Sequence, residues 1–203
     1  MTEILSVIRK PALENWFKYN TAEFCNQESA RGKKIGTTIH EVIQSYIETG
    51  TAKIETEYPD EVTNALKSFM LFKNDHPGII LQRSEMPLTS EKYEFNGTID
   101  CIGQAGGEAI LCDWKSGNAK EELFPVIYPE HRWQVSSYFY LYNEKNPQSP
   151  IESAIIVSVA KDRVGYDTFR LNQDQMAIYF NEVFLPALKI CNHQRKEKEN
   201  VRA

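Results

Sequence analysis

The sequence predicts a mixed α/β protein, a central mixed β-sheet flanked by helices. Three observations carry this. Apolar residues recur at helical spacing through residues 1–75, and the period then drops to two from Ile79 to Lys115. A helix-period segment, His131 to Asn143, separates that block from two further strand-like runs. The order ααα-βββ-α-ββ-α does not alternate strand and helix as a doubly wound parallel sheet does.

Each element follows from local sequence. Pro11 to Phe24 is a first helix, with proline at a first-turn position where a missing N–H costs nothing. Gly36 to Glu48 places Ile39, Ile43, Tyr46 and Ile47 at helical spacing and stops at Gly50. Pro59 to Lys73 is a third helix, ended by His76-Pro77-Gly78. Strand-like runs follow at Ile79 to Leu88, Tyr93 to Ile102 and Glu108 to Lys115, then a loop from Ser116 to Pro129. The aromatic-rich helix His131 to Asn143 precedes strands at Ile151 to Ala160 and Tyr166 to Leu171. Asn172 to His193 is a closing helix, bent at Pro186, and the charged tail Arg195 to Arg202 reads as frayed helix or disorder. At 203 residues one domain is the default: a helical part at 1–75, a sheet with its helix at 78–171, and a C-terminal helix and tail at 172–203.

Composition excludes several classes. With 41% hydrophobic and 25% charged residues the chain lies in the ordinary soluble globular range. No apolar run approaches a membrane span, and the first residues carry Glu3, Arg9 and Lys10 where a signal peptide would be apolar. Four cysteines without CxxC spacing suggest neither a zinc ribbon nor a disulfide framework, so a reduced, cytoplasmic setting is expected. A net charge of −5 excludes a uniformly basic nucleic-acid coat but not a local basic cleft.

The chemistry concentrates between Asn96 and Lys115. Gly106-Gly107 between two strand-like runs signals a two-residue hairpin, since both glycines tolerate positive φ. That turn sets Ala105 against Glu108, Cys101 against Cys112, Asp100 against Asp113 and Thr98 against Lys115. The two aspartates would share one face with Cβ atoms about 4.5–5.5 Å apart. Opposed carboxylates repel unless a positive charge lies between them. Lys115, two residues on, points the same way and supplies one; a divalent cation would supply two more. The plainer alternative is a surface pair neutralised by Lys115. Cys101 and Cys112, on the opposite face, read as small buried apolar residues.

Gly97-Thr98-Ile99-Asp100 followed by Asp113-Trp114-Lys115-Ser116-Gly117 resembles the catalytic core of the PD-(D/E)XK nuclease superfamily. Gly36-Thr37-Thr38-Ile39-His40 upstream and Gln134-Val135-Ser136-Ser137-Tyr138 downstream resemble the GxxxH and QxxxY motifs of its RecB-like branch, which includes many phage and recombination exonucleases. The four pieces stand in order between residues 36 and 138.

The resemblance implies a restriction-endonuclease-like core and a DNA exonuclease dependent on Mg²⁺ or Mn²⁺. Asp100, Asp113, the Trp114 carbonyl and His40 would hold the metal, with Glu85 as a further acidic ligand. Lys115 would hold or activate the attacking water, and Gln134 and Tyr138, four apart on one helical face, would support it and touch the DNA backbone. Arg31, Lys33 and Lys34 would track phosphates. Linear or single-stranded DNA ends would be the substrate, beside a single-strand annealing protein or a helicase, in recombination, repair or phage DNA processing. Some relatives hold an iron–sulfur cluster; here Cys25 is early enough but Cys191 is the only late cysteine, so no iron–sulfur cluster is expected.

Other readings stay open. His40 could be a helix-end histidine, because Thr38 and Glu41 also fit a capping box. Trp133 fits packing better than base stacking. A catalytically degenerate nuclease fold could serve as a DNA- or protein-binding module, and a metal-free pair of carboxylates could serve a glycosidase.

Overall fold

The computed structural model describes residues 2–51, 58–119 and 125–202. Four helices lead: α1 (Thr2–Leu5), α2 (Pro11–Tyr19), α3 (Ala22–Thr49) and α4 (Asp60–Asp75). β1 (Ile79–Ser90), β2 (Phe95–Ala105) and β3 (Glu108–Gly117) follow, then α5 (Pro129–Lys145), β4 (Ser153–Ala160) and β5 (Tyr166–Asn172). α6 (Gln173–Tyr179) passes through a π-helical turn, Phe180–Phe184, into α7 (Leu185–Arg202).

The strands lie in the order β1-β2-β3-β4-β5, and the β3–β4 pair is parallel while the other three are antiparallel. Parallel pairing needs a crossover, and α5 supplies it. The sheet is mixed and flanked by helices, as the alternation of periods predicts. Both faces are covered. Cys101, Cys112, Trp114, Ile155 and Val157 pack with Ile39 and Ile43 of α3 and Phe69 and Phe72 of α4. Ile102, Leu111 and Ile156 pack on the other face with Val135 and Phe139 of α5 and with Phe180 and Phe184. Burial on both faces explains why β4 reads as an almost unbroken apolar run.

Four sequence expectations change. Residues 22–49 form one helix, not a helix ending at Phe24 and another starting at Gly36. The Thr21 hydroxyl accepts the Phe24 N–H at 3.3 Å as its N-cap, and the buried stripe Ile35, Ile39, Val42 and Ile43 carries the helix past Gly32 and Gly36. Thr38 is therefore mid-helix and caps nothing; its hydroxyl donates to the Lys34 carbonyl at 3.1 Å. The closing helix widens before Pro186 instead of bending at it. Leu185 N–H donates to the Phe180 carbonyl, a π-type bond that keeps Phe180 and Phe184 stacked in the core with centroids 5.5 Å apart. The tail stays helical to Arg202, tied back by Arg195 to Glu3 at 2.7 Å. Within the expected loop Ser116 to Pro129, residues 120–124 lie outside the described residues. No helix among the described residues is long and apolar enough to cross a membrane.

Candidate active site

The β2–β3 hairpin turns at Gly106 and Gly107, with φ of 63° and 90°, and its register runs from Ala105↔Glu108 to Cys101↔Cys112 as the turn predicts. It stops there. Neither Asp100 with Asp113 nor Thr98 with Lys115 is a pair of this ladder, although on its β1 side Thr98 still pairs with Pro87. In place of a backbone carbonyl, the Asp100 Oδ2 accepts the Trp114 N–H at 2.8 Å. A side chain thus replaces a ladder bond and moves the two strands apart where two carboxylates would have collided.

Glu85 enters from β1 at the level of Asp100, between the pairs Ser84↔Cys101 and Met86↔Ile99. Its φ of 48° is in the left-handed region, an uncommon place for a glutamate, and of order 1–3 kcal/mol of strain is held there. A register shift between Leu81 and Arg83 precedes it. His40 arrives from α3, its Nδ1 3.7 Å from Glu85 Oε1 and 3.7 Å from Asp100 Oδ1. One donor atom from each of His40, Glu85 and Asp100 lies within 4.8 Å of the others. They open on a cavity of about 680 Å³ that also has Lys33, Glu41 and Gln44 on its wall.

Asp113 is fully buried beside this trio. The Lys115 ammonium sits 2.7 Å from its Oδ2, while its Oδ1 is buried with no hydrogen-bond partner. Buried carboxylate oxygens are normally satisfied, so this one has capacity for a further positive partner. Across the cleft on α5, Gln134 Nε2 donates to the Tyr138 hydroxyl at 2.8 Å. Trp114 sends its side chain to the opposite face, edge-on to Phe69 and Phe72 at 5.3 and 6.0 Å.

The electrostatics are those of a crowded acidic site. Burial, and then the Asp113 charge, push Asp100 up to about 6, against the opposing pull of Lys115, His40 and the Trp114 N–H. Burial works against the charge on His40, but its contact with Glu85 and the Asp100 charge outweigh it and raise its pKa. Lys115 behaves likewise: burial would lower it, and the two aspartates raise it, so it is an ammonium. Tyr138 is raised by burial and by Asp113 and Asp100, which keeps it a neutral phenol.

The three basic candidates divide. Lys33 reaches the cavity because it lies one turn before Thr37 and two before His40 on α3. Arg31 is held by Glu61 of α4 at 2.7 Å, and Lys34 is exposed but not on the cavity wall. Sequence reading missed Glu41 and Gln44, which the helix phase of His40 could have found. It also missed His131, whose Nδ1 accepts the Tyr128 N–H at 3.3 Å and whose pKa is lowered to about 3 by burial and then by the Lys115 and Lys10 charges.

The family model of the PD-(D/E)XK nuclease superfamily matches residues 70–183, a span that holds Glu85, Asp100, Asp113, Lys115, Gln134 and Tyr138 but not His40. A search of curated proteins finds no match. Among solved structures, a Eubacterium rectale protein for which exonuclease activity has been suggested has the same fold. It aligns over 78% of this chain and 68% of its own, at 12% identity and a TM-score of 0.50. A second, SSO0001, aligns over 79% of this chain and 72% of its own, at 13% identity and a TM-score of 0.39.

Proposed function

The chain belongs to the PD-(D/E)XK nuclease superfamily, whose members hydrolyse phosphodiester bonds, and from that premise we propose a divalent-metal-dependent DNA exonuclease of the RecB-like type. The observation that carries this reading is the meeting of His40, Glu85 and Asp100 within 4.8 Å, beside a buried Asp113 paired with Lys115. The residues fit a hard divalent cation. Carboxylate oxygens suit Mg²⁺ or Mn²⁺, the one imidazole favours the transition metal of the two, and the unpartnered Oδ1 of Asp113 offers a fourth protein group. The Trp114 carbonyl is a candidate fifth: within a strand a residue's N–H and C=O point to the same side, and its N–H points at Asp100. A bound cation would lower the pKa of a water and offset charge on the phosphate.

The chain's own groups have separable tasks. Lys115, an ammonium at the site, donates: it orients the attacking water and adds positive charge beside the scissile phosphate, and it takes up no proton. Tyr138, a neutral phenol whose oxygen already accepts from Gln134, keeps its own proton to donate to a phosphate oxygen. Gln134 acts through Tyr138 by fixing that rotor. Lys33 on the cavity wall contacts the DNA backbone. DNA ends arising in recombination, repair or phage DNA processing are the substrate, presented by an annealing protein or helicase.

The test is digestion of end-labelled linear, circular and single-stranded DNA with Mn²⁺ and with EDTA. Metal-dependent loss of linear molecules, with circles spared, is expected. Equal cutting of circles contradicts the exonuclease reading, and no metal-dependent cutting of any substrate contradicts the enzyme.

A further inference from the structure

A second cavity, of about 540 Å³, lies between α2 and the first turn of α5, lined by Arg9, Lys10, Leu13, Trp16, Tyr128 and Trp133. Its size falls in the range that encloses a small organic ligand, about 300–1,000 Å³. Three of its nine lining residues are aromatic, and two of these, Trp16 and Tyr128, are not there to build the core. Trp16 belongs to neither buried cluster and stands against the rings of Phe17 and Phe24 at 5.1 and 6.4 Å; Tyr128 is 40% exposed. Trp133 packs one side on the core.

The cavity and the cleft use neighbouring sectors of α5. At about 3.6 residues per turn, Glu130 and Trp133 occupy the sector of α5 next to Gln134, Tyr138 and His131. The first pair lines this cavity, and Tyr138 feels the charges of Asp113 and Asp100. His131 lies between cavity and cleft electrostatically, since the charges of both Lys115 and Lys10 depress it. With its Nδ1 accepting from Tyr128, a wall of this cavity, its remaining proton is on Nε2, a neutral donor. Among the described residues the cavity's two cations pair with carboxylates, Arg9 with Glu14 at 2.8 Å on the surface and Lys10 with Glu130 at a looser 3.4 Å. Such pairs contribute little, so exchanging a carboxylate for a phosphate is cheap.

We infer that this cavity is a base-stacking subsite for an unpaired strand of DNA whose phosphate is cut at the neighbouring metal cluster. The inference rests on the nuclease reading above and narrows its substrate to ends that are single-stranded or frayed. The rings decide the class: stacking on aromatic side chains beside basic groups is how unpaired strands are held without sequence preference, whereas a duplex keeps its base faces covered.

Binding of oligothymidylate in EDTA, where nothing is cut, tests it through tryptophan fluorescence. Trp16 and Trp133 line the cavity, and the third tryptophan of the chain, Trp114, is buried. Oligothymidylate is expected to quench the wild type. Trp16→Ala should weaken its binding at least about fivefold, near the lower end of what losing one stacked ring costs. Trp16→Phe should restore most of the affinity, and a blunt duplex of the same length should bind Trp16→Ala and wild type alike. Trp16 stands outside the core, so these variants keep the fold. Unchanged oligothymidylate affinity in Trp16→Ala, or a parallel loss of duplex affinity, overturns the subsite. Digestion with Mn²⁺ is scored separately: DNA that is cut normally while Trp16→Ala binds like wild type sinks the subsite alone. Stacking that follows the expected pattern with no cutting at all sinks the nuclease reading instead.

Discussion

The two halves of the β2–β3 hairpin obey different rules. From the glycine turn to Cys101↔Cys112 the strands hold a regular ladder, buried on both faces from Gly103↔Ile110 onward, and one more pair would bring Asp100 against Asp113. There the ladder ends, Asp100 takes the Trp114 N–H with its side chain, and β3 runs on to Gly117 beside β4 alone. The laddered half is built for stability. The open half gathers charges that a closed ladder would exclude: Asp113 with Lys115, Asp100 with His40, and Glu85 on a left-handed turn. A charged cleft can be made by withholding a few hydrogen bonds from an otherwise ordinary sheet.

The sharpest way to separate the halves is Lys115→Ala. It should lower the cleavage rate at least two to three orders of magnitude, the scale of losing one preorganised donor. It also strands the buried Asp113 charge, so the metal-free protein should lose about 3–5 kcal/mol in denaturant melts. Asp113→Asn added to it should recover most of that stability and none of the activity. Loss of activity below about tenfold would reduce Lys115 to charge balance.

The laddered half answers differently. Leu111→Ala removes a fully buried side chain and should cost about 2–5 kcal/mol. The rise in melting temperature on adding Mn²⁺ should nonetheless match that of wild type. A variant that lost both would couple the halves that the geometry separates.

Titration gives a smaller effect. In the metal-free protein Asp100 is raised to about 6 from an ordinary 3.8, and His40 is raised from 6.5. The buried aspartate destabilises the fold when ionised, a cost fully present above its folded pKa and relieved as pH falls towards the unfolded value. The His40 contribution is present below its unfolded pKa and lost as pH rises through the raised one. Both mean that the folded state binds the extra proton between about pH 4 and 7, so the melting temperature should rise by a few degrees from pH 7.5 to 5. Asp100→Asn should remove most of that slope, and a slope that survives it would place the proton elsewhere.

Smallest is the DNA contact. Lys33→Gln should reduce the salt slope of DNA binding by about one, whereas Arg31→Gln, whose native side chain is held by Glu61, should leave it unchanged. The reverse outcome would move the DNA track from the cavity wall to the outer face of α3.

The sequence carried the laddered half fully, because two glycines at a hairpin turn fix a register that simple counting extends. Counting could not reveal where the register is abandoned. That depends on a side chain taking a backbone's place at Trp114, and alternation of apolar and polar residues is blind to it. Glu85 was visible as an acid in a strand, but not its left-handed backbone, which glutamate rarely adopts. Gly36 looked like a helix start because propensity is local, while the stripe Ile35 to Ile43 that carries the helix through it is set by packing. That only Lys33 of the three cations reaches the cavity was legible in its spacing from His40.

The claim on which the rest depends is that the opened end of the hairpin is a metal site, and thermal melts with Mn²⁺ against EDTA test it most directly. Saturating metal binds the folded donors and not the unfolded chain, about 2.7 kcal/mol at a hundredfold excess over Kd, so the wild-type melting temperature should rise by several degrees. Asp100→Asn should abolish the rise, and His40→Ala should weaken it. Equal metal-induced shifts in wild type and Asp100→Asn would contradict the site.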